Sequence, residues 1–117
     1  MSNHNALITP TPARMVHYHP AEGELPAYAY APTLAAIVCY VHSNSLVNLC
    51  VFDKQGQQHA RVMVTLVQPG GDVEAVRMGP WCEWMPYQVG QAGKANELTR
   101  QLERATGVAP GGPLAGG

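Results

Sequence analysis

Apolar, β-branched runs at Leu34–Val41, Leu46–Phe52 and Ala60–Val67 alternate with two short polar breaks. The breaks, His42–Ser45 and Asp53–His59, are built from Ser, Asn, Asp, Gln, Gly, Lys and His. Runs of this length bounded by turn residues predict an antiparallel meander and a mainly β fold. A two-residue turn at Asn44-Ser45 would set Ser43 opposite Leu46, Val38 opposite Val51 and Tyr40 opposite Leu49. Side chains alternate along a strand, so Val38, Tyr40, Val47, Leu49 and Val51 then share one apolar face, the expected core. In the third run Val62, Val64 and Leu66 continue it, against Arg61, Met63 and Thr65. The opposite face carries Ile37, Cys39, Val41, Asn48, Cys50 and Phe52 and is also mostly apolar. A sheet with one side in water alternates more cleanly. That second face therefore predicts a cover: a folded-over strand, a helix or a partner.

The remaining elements are shorter. Arg14–His19 reads as a first strand stopped by Pro20, and residues 20–33 as a long proline-punctuated loop with a short irregular strand at Ala27–Ala31. If that piece is extended, Tyr28 and Tyr30 share a face. Asp53-Lys54-Gln55-Gly56 has Asp first and Gly fourth, as a turn prefers. Val73–Met78 is an expected short strand, and Trp81–Tyr87 a last aromatic strand ended by Pro86. Lys94 to residue 106 is the helix candidate, with a thin stripe of Ala95, Leu98, Leu102 and Ala105 to pack on the barrel's edge or end. Residues 1–12 read as a flexible lead-in, 13–90 as the β domain and 107–117 as a disordered Gly/Pro tail. Five short strands, a long first loop and Gly/Pro turns suggest a small, SH3-like, partly open β-barrel with flexible termini. A flat sheet of four to five strands plus the helix is the competing architecture.

Composition changes this picture in one respect. The chain has 117 residues, is 46% hydrophobic and only 13% charged, about half the usual ~25% charged. Such a surface repels copies of itself weakly, which suits self-association or docking onto a protein partner. The formal net charge is −1, and the 7 Lys and Arg are scattered. Phosphate-based binding needs a concentrated positive face, so nucleic acid is the less favoured partner. Met1–Pro12 has no signal-peptide pattern, and no run approaches the ~20 apolar residues of a membrane span. Three cysteines fit a reducing cytoplasm better than a secreted disulfide frame.

The order Arg14-Met15-Val16-His17-Tyr18, Leu34-Ala35-Ala36-Ile37-Val38, Leu46-Val47-Asn48-Leu49-Cys50-Val51-Phe52-Asp53 and Trp81-Cys82-Glu83-Trp84-Met85-Pro86 resembles a group of small uncharacterised proteins of tailed phages and prophages. The resemblance spans roughly residues 14–87. It implies a small β protein in the cytoplasm of a bacterial host, with no established activity and no catalytic residues to carry over.

Candidate chemistry is sparse. His17 and His19 lie on one side of a strand, about 6–7 Å apart, and are weak candidates for metal ligands. The competing reading is two exposed histidines beside a proline break. Cys39 and Cys50 face each other in the register above, within reach of a bond, yet free cysteines most often serve as small strand hydrophobes. Trp81, Trp84 and Tyr87 form the densest aromatic cluster. By alternation the two Trp point to opposite faces, one buried and one at the rim as a contact residue. With Tyr28 and Tyr30 they are the candidate binding residues. No carboxylate pair, nucleophile triad, phosphate loop or cofactor motif is present, so neither enzyme activity nor a cofactor is expected. The sequence thus points to a non-catalytic interaction or assembly module, with a small nucleic-acid-binding barrel as the alternative.

Overall fold

The computed structural model describes residues 7–106. The expected tail over 107–117 and the first six residues of the lead-in lie outside them. The strands are β1 (Met15–His19), β2 (Leu34–Ser43), β3 (Leu46–Phe52), β4 (Gln58–Val67) and β5 (Trp81–Glu83), followed by the helix α1 (Pro86–Thr106). The fold is mainly β, as the alternating runs require, and the meander lies where the sequence places it. The barrel is closed rather than partly open, in the order β1-β2-β3-β4-β5. β5 completes the ring by pairing antiparallel with β1 and parallel with the end of β4, at Thr65–Val67.

The core is the inward stripe of each strand. Val16 and Tyr18 of β1, Ala36 and Val38 of β2, and Val47, Leu49 and Val51 of β3 are all buried. Val64 and Leu66 of β4 and Cys82 of β5 complete it. Residues of the expected lead-in also contribute. Ile8 is buried, and the Gln68 side chain clamps its backbone, accepting from the Ile8 N–H at 3.0 Å and donating to its carbonyl at 2.9 Å. From residue 7 onward the lead-in is therefore docked.

The β2–β3 register departs from the expected one. Ser43 does face Leu46, but two bulges follow, so Tyr40 faces Asn48 and Val38 faces Leu49. A bulge spends one extra residue and changes the facing of everything beyond it. Tyr40, expected in the core, is consequently 57% exposed. Ile37, not Cys39, stands opposite Cys50, and all three cysteines are free. A third bulge in β4 lies opposite Asn48, between the pairs Val47–Val64 and Leu49–Arg61. There Met63 takes φ of +56°, a left-handed conformation costly for a residue with a Cβ. The Asn48 side-chain oxygen holds it by accepting the Met63 N–H at 2.8 Å. Val62, expected in the core stripe, is turned outward and 67% exposed.

Three more expectations change. The strand over Val73–Met78 is a pair of tight turns, closed by bonds from the Val76 N–H to the Val73 carbonyl and from the Gly79 N–H to the Val76 carbonyl. The piece over Ala27–Ala31 is likewise a turn, with the Ala29 and Tyr30 N–H groups both on the Pro26 carbonyl. The last strand ends at Glu83, and the helix starts at Pro86 rather than at Lys94. Pro86 occupies the first helical position, where a missing N–H costs nothing. Gln88 then reaches back to accept the Met85 N–H at 2.8 Å and donates to the Met15 carbonyl at 2.9 Å, tying the helix start to β1. The helix packs on the core through Val89 and Ala92. The stripe expected to do so does not, since Leu98 and Leu102 are 66% and 63% exposed.

The β3–β4 turn is the one the sequence indicated. Asp53 is buried, and its carboxylate accepts the Gln55 and Gln57 N–H groups and bonds the His59 ring at 2.8 Å. Gly56 follows with φ of +88°, the conformation that favours glycine at this place. The His59 bond and the two backbone donors outweigh burial and hold the Asp53 carboxyl below its ordinary value of 3.8. Because the folded carboxyl binds its proton more weakly than the unfolded one, its contribution is complete above pH 3.8 and is lost as the pH falls through the lower folded value. Urea midpoints taken between about pH 2 and 6 should therefore decline toward acid, and Asp53→Asn should flatten that decline while lowering the plateau at neutral pH.

Candidate functional site

Two surfaces carry the residues of interest. The first is a cleft of about 720 Å3 where the helix start meets β1 and β5. Its polar wall comes from His17, His19, Thr33 and Glu83, and its apolar wall from Trp84, Pro86 and Val89. Register explains the wall: His17 is the partner of Glu83 and His19 that of Trp81, so the outward side chains of two strands meet. The His19 ring stacks on Trp81, with centroids 4.0 Å apart and planes at 18°. Its Nε2 bonds Glu83 at 2.7 Å, and its Nδ1 lies 3.2 Å from the Pro32 carbonyl. His19 is thereby fixed as part of the closing seam. Among the described residues no group of three or more His, Cys, Asp or Glu is placed to hold a metal ion.

The expected aromatic cluster does not assemble. Trp81 and Trp84 do take opposite sides, since Trp84 belongs to the core cluster and Trp81 does not. Both are buried, at 7% and 3% exposure, so neither forms a rim. Trp81 is shielded by the stacked His19, which sequence alternation cannot show. Arg14 lies 5.1 Å over the Trp84 ring, and the Trp84 N–H is buried with no acceptor. Tyr87 is 73% exposed on the helix and Tyr28 65% exposed on the loop. Tyr30 packs partly against the core, so the two loop tyrosines do not share a face. Cys82 is fully buried, and burial followed by the nearby Glu83 charge pushes its thiol up to about 12. It is no nucleophile at neutral pH.

Sequence reasoning missed the buried network that seats the long loop. Tyr18, with no exposed surface, donates its hydroxyl to Glu24 at 2.6 Å. The Arg61 Nε donates to the same carboxylate oxygen, and the Ala21 N–H to the other at 2.7 Å. Burial pushes the Glu24 carboxyl up, but these three donors outweigh it and hold it below its ordinary range. Burial and the Glu24 charge push the Tyr18 hydroxyl well above its ordinary range. The cue was spacing on one side only: Glu24 lies six residues past Tyr18, but Arg61 is 37 residues further on. The network also takes Arg61 out of any cationic face. Arg77 is paired with Glu74 at 3.1 Å, and Arg14 with the indole of Trp84.

The second surface is the outer face of β2–β3–β4. One rung is Ala35, Phe52 and Gln58, and the next is Ile37, Cys50 and Ala60. Beyond them Tyr40 faces Asn48, which in turn faces the bulge at Val62 and Met63. None of these ten residues is Asp, Glu, Lys or Arg. Six of them are exposed and four half-buried. It keeps Ile37, Asn48, Cys50 and Phe52 of the second apolar face that the sequence pattern described, while Val41 packs on the core and Cys39 sits exposed at a β2 bulge. Neither the helix nor the long loop hides it.

No family model matches the chain, and no curated protein or solved structure matches it significantly. Among the described residues no helix is long and apolar enough to cross a membrane.

Proposed function

We propose that this chain is a non-catalytic interaction module that docks through the outer face of β2–β3–β4. The observation that carries the reading is that face: ten positions on three strands, none charged, with Tyr40, Val62 and Met63 each more than half exposed. Contiguous exposed apolar surface of this kind marks interaction sites in folded domains. The bulge supports it further, because Met63 is held in a strained conformation whose result is two neighbouring exposed hydrophobes. The pairing of Arg61 and Arg77 with glutamates favours a protein partner over nucleic acid. Three free cysteines accord with a reducing cytoplasm. An origin in a phage or prophage, and with it a bacterial host cell, rests on the sequence resemblance.

The reading is tested with an environment-sensitive apolar dye at protein concentrations where the mass is that of one chain. The wild type should brighten the dye, and Val62→Glu should abolish most of the gain. A dark single-chain wild type, or a dye signal indifferent to Val62→Glu, would overturn it.

A further inference from the structure

We infer that the cleft where the helix start meets β1 and β5 is a binding site for a small organic cation, an ammonium or guanidinium carried on an apolar body. None of its lining residues belongs to the three strands of the docking face, so this site stands apart from the role proposed above. Its volume of about 720 Å3 falls in the range of small-molecule pockets, roughly 300–1,000 Å3. Trp84, Pro86 and Val89 supply an apolar wall, and the polar side chains on it are few. That division, apolar surface for bulk and a few polar groups for orientation, is common to ligand sites.

The polar groups select the charge of the ligand. Glu83 is the sole Asp, Glu, Lys or Arg among the lining residues. His19 holds its Oε2 at 2.7 Å, which leaves Oε1 for an incoming donor. His17 stands directly opposite Glu83 in the β1–β5 ladder, and its side chain makes no hydrogen bond among the described residues. The carboxylate oxygen, an imidazole nitrogen and the Thr33 hydroxyl can all accept, whereas an ammonium or a guanidinium offers several donors and no acceptor. An anion meets the opposite situation. The carboxylate repels it, and the helix start has little left to give it. Pro86 has no N–H, and the Gln88 and Val89 N–H groups both reach the Met85 carbonyl, at 2.9 and 3.2 Å. Arg14 lies over the Trp84 ring but does not line the cleft.

The volume favours a whole small molecule over one side chain of a protein partner. The narrow stem of a lysine fills only part of such a space and leaves the wall of Trp84, Pro86 and Val89 wet. An aromatic or branched body covers that wall and carries its cation to Glu83. The Glu83 side chain keeps 37% of its surface, so the ion pair adds modestly and is screened by salt. A ligand of about nine heavy atoms should accordingly bind with a dissociation constant on the order of 1 mM.

Nuclear magnetic resonance titrations of the nitrogen-labelled full chain test the site with probes of one shape: phenethylamine, phenethyl alcohol and phenylpropionate. The amine should shift the signals of Trp84, Val89 and Gly90 with saturation, the alcohol should bind about tenfold more weakly, and the carboxylate more weakly still. Glu83→Gln should bring the amine down to the alcohol. That variant also loosens the hold on His19, so a second one blocks the cleft by bulk. A Cβ at Gly90 meets nothing within 4 Å, and Gly90→Phe should weaken every probe with far-ultraviolet circular dichroism unchanged. Phenylpropionate binding as tightly as the amine, or an amine affinity indifferent to Glu83→Gln, overturns the cation. Amine shifts absent up to about 10 mM, or unchanged in Gly90→Phe, overturn the site. A capped lysine amide that binds as tightly as phenethylamine overturns the small molecule in favour of a partner's side chain.

Discussion

Trp84→Ala should destabilise the domain by about 3–5 kcal/mol, the range for emptying a large aromatic site in a core. Trp84 is 3% exposed and belongs to the cluster that fills the barrel. A cavity of about 80 Å3 already lies beside it, lined by Val67, Gln68 and Val89 among others, and truncation would enlarge it. The neighbouring elements cannot close the space, because β5 is pinned on both sides by strand pairing. Arg14 would also lose the ring it lies over. Trp84→Phe should cost much less, about 1–2 kcal/mol. Phenylalanine keeps most of the apolar contact and removes an N–H that is buried without an acceptor, a group whose desolvation is otherwise uncompensated. Urea unfolding followed by circular dichroism compares the two. Equal losses would show that the indole N–H has a partner in solution, such as a water in the adjacent cavity.

Glu24→Ala is the second large effect, at about 2–3 kcal/mol. Its carboxylate gathers three donors, from Tyr18, Arg61 and the Ala21 N–H. Alanine leaves the Tyr18 hydroxyl buried with no acceptor and Arg61 without its counter-charge. Arg61 and Glu24 keep 28% and 13% of their side-chain surface, so solvent recovers part of the loss and the figure stays below that of a fully buried pair. Glu24→Gln should recover about half, since its oxygen can still accept from Tyr18. A double-mutant cycle with Tyr18→Phe measures the coupling, expected at about 1–2 kcal/mol. Additive losses would mean that the hydroxyl and the carboxylate act independently. In either variant the loop over residues 20–33 should exchange its amide hydrogens faster, because this network is what seats it on β1 and β4.

Periodicity made the meander legible. Leu34 to Val67 has the residue types, run lengths and breaks of three adjacent antiparallel strands, and the Asp53–Gly56 turn could be named from its first and fourth residues. Register was not legible. The β4 bulge is held by Asn48 supplying a side-chain acceptor to the Met63 N–H in the next strand, and a polar residue in an apolar run announces no such role; the two β2 bulges have no cue in the sequence pattern. Each bulge reverses alternation, which is why Tyr40 and Val62 were assigned to the core and lie outside it. The helix start was hidden by Pro86, since proline both ends strands and begins helices. Gly90 and Gly93 lowered the helical signal over the turns that do pack. At the candidate sites, single-strand reasoning left one of the two tryptophans at the rim, and both are buried, Trp81 with His19 stacked on it. The two-sided apolar character of β2 and β3 could be read directly, because neither strand carries Asp, Glu, Lys or Arg on either side; in β4 the side on which Arg61 falls depends on register and could not.

The three-residue β5 has a kinetic consequence. The meander joins strands that are near neighbours in the chain, so its ladders can form with little loop to close. The ring closes only when Trp81–Glu83 reaches back to His17–His19, more than sixty residues earlier. Closure of so long a loop is entropically expensive and is rewarded by only a few ladder bonds on each side. The seam should therefore join late in folding and open first under native conditions, independently of the β2–β3–β4 sheet. Barrel closure and the proposed docking face would then belong to different cooperative units of the same small domain.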